Sequence, residues 1–233
     1  METVTRTNIG PERQINQDRL LATRTGPSGY LLAIGDGLGG NPGGETAAEL
    51  FIENVVKDLT DKDNLSPVQL LLNANQAIIN HGLHHPEIAA MGSTATLAAL
   101  REKQLLWAHI GDSRLYILDP NGLRQITRDQ TLARSLYEEG KIDRHEIPSH
   151  SLNHFLEQCL GEDDIEPDQG ACEVNSGDLF LLCTDGLHDV VVDQQLEKIL
   201  TGKSSLTNKA DILIQTALDS GSKDNISLIL HLV

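Results

Sequence analysis

The sequence predicts an α+β fold in which antiparallel sheets are covered by pairs of helices. Three observations carry that expectation. Strand-like runs come in pairs joined by a few turn residues, helical stretches come in pairs of their own, and aromatics are only 3% against 39% hydrophobic residues, so the core is aliphatic. Short connections join antiparallel neighbours, whereas parallel strands need a long crossover. Strands and helices segregated in blocks point away from alternating βαβ units. With 233 residues the chain can bury a sizeable core as one large domain or two small ones.

The elements follow in chain order. Strands are expected at 19–25 and 29–35, either side of Pro27-Ser28-Gly29. A helix at 45–60 places Ala48, Phe51, Ile52, Val55 and Leu59 on one face. The next, at 66–82, has Ser66 as N-cap, Pro67 at the first helical position and Gln69 closing a capping box, with Val68, Leu71, Leu72, Ile78 and Ile79 as its stripe. Strands at 93–100 and 104–111 flank Arg101-Glu102-Lys103. Another at 114–118 ends in the strong turn signal Asp119-Pro120-Asn121-Gly122. A short helix at 130–139 stops at Gly140, and strands at 171–174 and 178–184 flank Asn175-Ser176-Gly177. Helices near 193–201, with Asp193 as N-cap and Gly202 as stop, and near 207–219 precede a last strand at 226–233.

Composition excludes several classes. The chain carries 18 basic and 34 acidic residues, a formal charge of −16. That argues against nucleic acid or an anionic membrane as the main partner, since both need a basic surface. No apolar run approaches the roughly 20 residues of a spanning helix. The opening METVTRTNIGPERQINQDR lacks an apolar h-region, so no signal peptide is expected. Cys159, Cys172 and Cys183 are odd in number and show no C-x-x-C spacing, so neither a disulfide framework nor a zinc knuckle is expected. A reducing cytoplasm is the expected compartment.

The informative feature recurs at strand ends. Apolar runs at 30–35, 105–111 and 179–184 lead into Asp36-Gly37, Asp112-Ser113 and Asp185-Gly186, and Asp224 comes just before the apolar strand that starts at Ile226. In an antiparallel sheet the end of one strand lies beside the start of its neighbour, so these four carboxylates can meet at one edge. They would repel one another unless cations sit between them, and oxygen-only ligands favour Mg²⁺ or Mn²⁺ over zinc or copper. Two such ions, about 3.5–4 Å apart, can acidify a bridging water and clamp an in-line displacement at phosphorus. A glycine carbonyl such as that of Gly37 can serve as a further ligand. The competing reading is that Asp-Gly is simply a turn dipeptide; three similar strand ends plus Asp224 weigh against it.

Other motifs carry less. Gly35 to Gly40 fits the dinucleotide fingerprint G-x-G-x-x-G, but that motif needs a βαβ unit, and here one helix leads into another. Arg13 could hold a phosphoryl group bidentately, though spacing alone does not distinguish it from a surface charge. His81, His84 and His85 read as solvated or capping residues at a helix end.

Taken together, these segments resemble the metal-dependent serine/threonine protein phosphatases of the PPM, or type 2C, family, in order along nearly the whole chain. Arg13 to Asp18 is similar to R-x-x-N-x-D, Asp36 to Gly40 to D-G-x-G-G, and Gly92 to Ala95 to G-[ST]-T-A. Gly111 to Arg114 matches G-D-S-R, Cys183 to Leu187 is similar to C-[ST]-D-G-L, and Lys223-Asp224-Asn225 to x-D-N. The resemblance implies a single domain over 1–233 with a four-layer α-β-β-α sandwich. It implies that Asp36, Asp185 and Asp224 bind one metal and that Asp36 and the Gly37 carbonyl hold a second. Asp112 with Asp185 would match a third-metal site. Asp18 would orient a metal-bound water, and Arg13 would anchor the substrate phosphate. A flap is expected at about 131–155. The implied activity is hydrolysis of phosphoserine and phosphothreonine monoesters, with phosphotyrosine as a further candidate, by direct attack of a hydroxide bridging two Mn²⁺ or Mg²⁺ ions. The implied partners are phosphorylated proteins, met in signal transduction by a cytoplasmic monomer.

Two departures stand out. Many family members have histidine after D-G-x-G-G as the favoured general acid; this chain has Asn41, at the substrate-binding position, which supplies no proton at neutral pH. Asp129-Gln130-Thr131 stands where the family often has D-H-S, a difference expected to touch substrate handling more than chemistry. Asn41 also keeps open the alternative of a catalytically weak or inactive phosphoprotein-binding module of the same fold. A weaker rival is a small-molecule phosphatase.

Overall fold

The computed structural model describes residues 1–26, 29–39, 42–59 and 66–233. Pro27 and Ser28 of the first expected turn, Gly40, Asn41 and the end of the first helix at residue 60 lie outside the described residues. Among the described residues the strands are β1 (Glu2–Asn8), β2 (Asp18–Arg24), β3 (Gly29–Asp36), β4 (Ala95–Arg101), β5 (Gln104–Ile110), β6 (Arg114–Asp119), β7 (Gly122–Gln125), β8 (Asp168–Glu173), β9 (Leu179–Cys183) and β10 (Ile226–Leu232). They form two antiparallel sheets, ordered β1-β10-β9-β6-β7 and β2-β3-β4-β5-β8. The helices are α1 (Gly44–Asp58), α2 (Pro67–His84), α3 (Leu132–Glu138), α4 (Asp185–His188), α5 (Asp193–Leu200) and α6 (Leu206–Asp219).

Strand alternation builds the layers. Leu32 and Ile34 of β3 meet Phe180 and Leu182 of β9 and Ile229 of β10 between the two sheets. Leu31 and Ala33 face the other way, onto Phe51 and Val55 of α1 and Leu71, Ala74 and Ile78 of α2. On the far side Leu181, Leu228 and Leu230 pack against Leu196, Ala210, Leu213 and Ala217 of α5 and α6. The expected α+β, α-β-β-α sandwich is what forms. Because both faces of the central strands are covered, those strands read as continuous apolar runs and not as alternating ones.

Several local expectations are corrected. β1 and β7 are additional strands. β1 has a single buried side chain, Val4, and pairs only with β10, so it lacks the apolar signal that marked the others. Asp193 is not the N-cap of α5; Val192 is, and Asp193 Oδ1 instead accepts from the Tyr116 hydroxyl at 3.0 Å. Ser66 caps α2 by accepting from the Gln69 backbone N–H, but the Gln69 amide turns along the helix to Asn73 Oδ1 at 2.8 Å. At the other end His84 Nδ1 meets the Asn80 carbonyl and His81 stacks on His85. Among the described residues no helix is long and apolar enough to cross a membrane.

Candidate active site

Asp18 opens β2 and Asp36 closes β3, opposite one another in register. Asp112 follows β5, Asp185 begins α4 directly after β9 and Thr184, and Asp224 precedes β10. The carboxylates therefore do not meet at the edge of one sheet. β3 and β5 belong to one sheet, and β9 and β10 to the other, so the acids converge across the end of the sandwich. Asp36, Gly37, Asp112, Asp185 and Asp224 line one cavity of about 260 Å³ together with Arg13. Asp18 lies buried beside it and Asn41 is outside the described residues.

The backbone around these acids is tightly held. Thr94 N–H donates to the Asp36 carbonyl at 2.8 Å, and Asp36 N–H to Thr94 Oγ1 at 3.0 Å. Thr94 Oγ1 in turn meets Ser113 Oγ at 2.7 Å, next to Asp112. A Cβ at Gly37 would stand 2.2 Å from the Gly44 carbonyl oxygen, so only glycine lets α1 begin against this turn. Asn225 ties in the N-terminal segment: its Oδ1 accepts from Gln17 N–H at 2.8 Å and its Nδ2 donates to the Ile9 and Ile15 carbonyls. Gly10 packs so closely on this segment that a Cβ there would lie 2.0 Å from the Asp224 carbonyl oxygen. Distant motifs of the sequence are thus one hydrogen-bonded unit.

Charge is unbalanced in this cavity. Burial, followed by the neighbouring carboxylates, pushes Asp36 and Asp112 well above the usual carboxylate range and raises Asp185. Burial, with the charges of Asp185 and Asp224 behind it, raises Asp18 to about 7 against hydrogen bonds from Ser227 and Thr184. Arg13 is the one arginine or lysine among the described residues that line the cavity, and its Nη2 is given to Asp224 Oδ2 at 2.5 Å. With Asp224 so engaged, no three acidic, histidine or cysteine side chains among the described residues close on a single point as a finished cage. The donor set still fits hard cations. Asp18 Oδ1 and Asp185 Oδ1 are buried with no hydrogen-bond partner, a costly state for carboxylates unless something positive meets them, and the donors are all oxygen, as Mg²⁺ and Mn²⁺ prefer.

A family model described as protein phosphatase 2C matches residues 11–220. The chain belongs to the protein phosphatase 2C family. It is similar to the serine/threonine phosphatase stp of Listeria welshimeri, 30% identical over 234 residues that cover 97% of this chain and 93% of that protein. Among solved structures, serine/threonine phosphatase Stp1 of Staphylococcus aureus superposes with a TM-score of 0.93 at 28% identity, covering 100% of this chain and 94% of that one. The catalytic domain of the phosphatase PstP, in complex with two manganese ions, superposes with a TM-score of 0.85 at 32% identity, covering 98% and 96%.

Around this cavity of a type 2C chain stand residues whose roles the sequence did not signal. Gln130, expected to bear on substrate handling, is fully buried, and its Oε1 accepts from the Gly111 N–H at 2.8 Å, holding the turn before Asp112. The preceding Asp129 grips Arg114 through both carboxylate oxygens. Burial opposes the Asp129 charge, but Arg114 outweighs it and holds the carboxyl below its usual range. His188, buried, meets the Asp112 carbonyl with Nε2 at 3.1 Å. His154 lines the cavity from the segment that follows α3. Its spacing matches no motif, and only the folded chain brings it here.

Proposed function

We propose that the carboxylate-lined cavity is the catalytic centre of a metal-dependent phosphoprotein phosphatase that hydrolyses phosphoserine and phosphothreonine monoesters. The observation that carries this is the convergence of Asp36, Asp112, Asp185 and Asp224 with Arg13 around one space, in a chain of the type 2C family. In this reading Asp36, Asp185 and Asp224 hold one Mn²⁺ or Mg²⁺, Asp36 and the Gly37 carbonyl a second, and Asp112 with Asp185 a third. When bound, such ions acidify the attacking water and neutralise phosphoryl charge.

The side chains of this chain do the rest. Arg13 exchanges Asp224 for the phosphoryl oxygens and holds them with its planar fork. Asp18 Oδ1, the carboxylate oxygen without a partner, accepts from the attacking water and aligns it, while Thr184 Oγ1 fixes Oδ2 at 3.0 Å. Water attacks phosphorus in line, the bond to the serine or threonine oxygen breaks, and no phosphoenzyme forms. Positioning and electrostatics supply most of the acceleration that phosphoryl transfer needs. The segment 131–155 acts as a flap. Its two ends are joined by the Leu132 N–H donating to the Phe155 carbonyl at 2.8 Å and by a bridge between Thr131 and Leu156. The working form is a cytoplasmic monomer acting on phosphorylated proteins, with the charge of −16 keeping it off nucleic acid and anionic membranes.

Release of phosphate from a phosphothreonine peptide tests this reading. Activity is expected with Mn²⁺, is abolished by EDTA, returns when Mn²⁺ is restored, and is lost in Asp185→Ala. Full turnover after exhaustive chelation would overturn the metal requirement. No turnover with any metal would favour a binding module that keeps the fold.

A further inference from the structure

The alkoxide of serine or threonine is a strong base and leaves phosphorus readily only if it receives a proton. Asn41 has none to give at neutral pH. Among the described residues, one histidine lines the carboxylate cavity, and it is His154. The same side chain lines a neighbouring cavity of about 490 Å³, with Arg13, Asp185, Asp189, Lys223 and Asp224 in its walls. It is placed at the meeting of the two spaces and its side chain is 68% exposed, so a substrate can reach it. The backbone that carries it is fixed on both sides: Leu152 N–H meets His150 Nδ1 at 3.2 Å, and Phe155 is joined to Leu132. His188, the other histidine of this region, is buried with its Nε2 committed to the Asp112 carbonyl.

We propose that His154 is the proton donor to the leaving oxygen of phosphoserine and phosphothreonine substrates, the role that Asn41 cannot fill. This rests on the phosphatase reading above. His154 Nδ1 lies 3.6 Å from Asp189 Oδ2, the arrangement in which a carboxylate orients an imidazole. In the step itself the water oxygen forms the new bond to phosphorus. The bond from phosphorus to the side-chain oxygen breaks, and that oxygen leaves with its electron pair and takes the proton of His154. The attacking water gives its proton to solvent, and His154 is reprotonated from solvent, so the enzyme is unchanged after each turnover.

The test compares a phosphothreonine peptide with p-nitrophenyl phosphate, whose phenolate leaves without help, on the full chain saturated with Mn²⁺. His154→Gln is expected to lose about 10²-fold or more in kcat on the peptide, the scale of general acid catalysis, with little change on p-nitrophenyl phosphate, which also reports that the variant is folded. Imidazole added to His154→Ala restores peptide turnover, and Asn41→His restores it in the His154→Gln background. Equal losses on both substrates, or none on the peptide, would overturn the role of His154 while leaving the phosphatase reading intact. A wild-type chain that turns over neither substrate would overturn both.

Discussion

Arg13 Nη2 reaches Asp224 Oδ2 at 2.5 Å, so a substrate phosphoryl group competes with that carboxylate for the guanidinium. Arg13→Ala removes a charge-assisted pair of hydrogen bonds to substrate, and kcat/KM is expected to fall about 10–100-fold in steady-state kinetics. Binding of Mn²⁺, followed by calorimetry, is expected to be undiminished, because Asp224 is released. An unchanged kcat/KM would show that the phosphate is held elsewhere. Asp18 supplies a prediction about pH. Its folded-state value of about 7 stands above the 3.8 of an ordinary aspartate, so its contribution to stability is fully present below 3.8 and is lost as pH rises towards 7. In EDTA the wild type is therefore expected to melt lower at pH 8 than at pH 5. Asp18→Asn removes that penalty and should melt several degrees above wild type at pH 8, with phosphatase activity lost. Equal melting of the two proteins at pH 8 would contradict the buried charge.

At the scale of elements, β6, the turn after β7 and the start of α5 are bound through Arg114. Its guanidinium meets both oxygens of Asp129 and donates to the Tyr116 hydroxyl, which donates on to Asp193 at the start of α5. Both partners of the ion pair are largely buried, at 19% and 15% exposure. Arg114→Ala leaves Asp129 buried without its partner, which costs about 3–5 kcal/mol. Thermal melting should drop by roughly 10 °C, at about 2–4 °C per kcal/mol for a chain of this size. A loss of only a degree or two would place the stability of this layer in packing alone. The strands and the second helix were legible because each has a strong local pattern: largely apolar runs for β3, β9 and β10, and a capped stripe for α2. β1, with threonines alternating around a single buried Val4, and the four-residue β7 and α4 carry too little pattern of their own. They are ordered by the neighbours they pair with.

At the scale of the whole molecule, the two sheets end on the same side of the sandwich, and that is what turns four separate strand ends into one site. The aspartates were legible in the sequence because each stands at a boundary between an apolar strand and a polar turn. That they come from different sheets was not, since a strand end shows where the chain turns and not which sheet it has joined. The supporting residues were hidden for the same reason. Gln130 and His188 act on the backbone at Gly111 and Asp112 through contacts that exist only after folding, and His154 arrives from an irregular stretch with no periodicity to mark it. Convergence of the acids also sets the central expectation, since buried carboxylates so poorly balanced by a single guanidinium make a site that divalent cations stabilise. Calorimetric titration of Mn²⁺ into metal-free protein tests it most directly, with wild type set beside Asp36→Asn and Asp185→Asn. At least two bound ions are expected in wild type and fewer in each variant; an undiminished number of ions in both variants would rule out these carboxylates as the metal ligands.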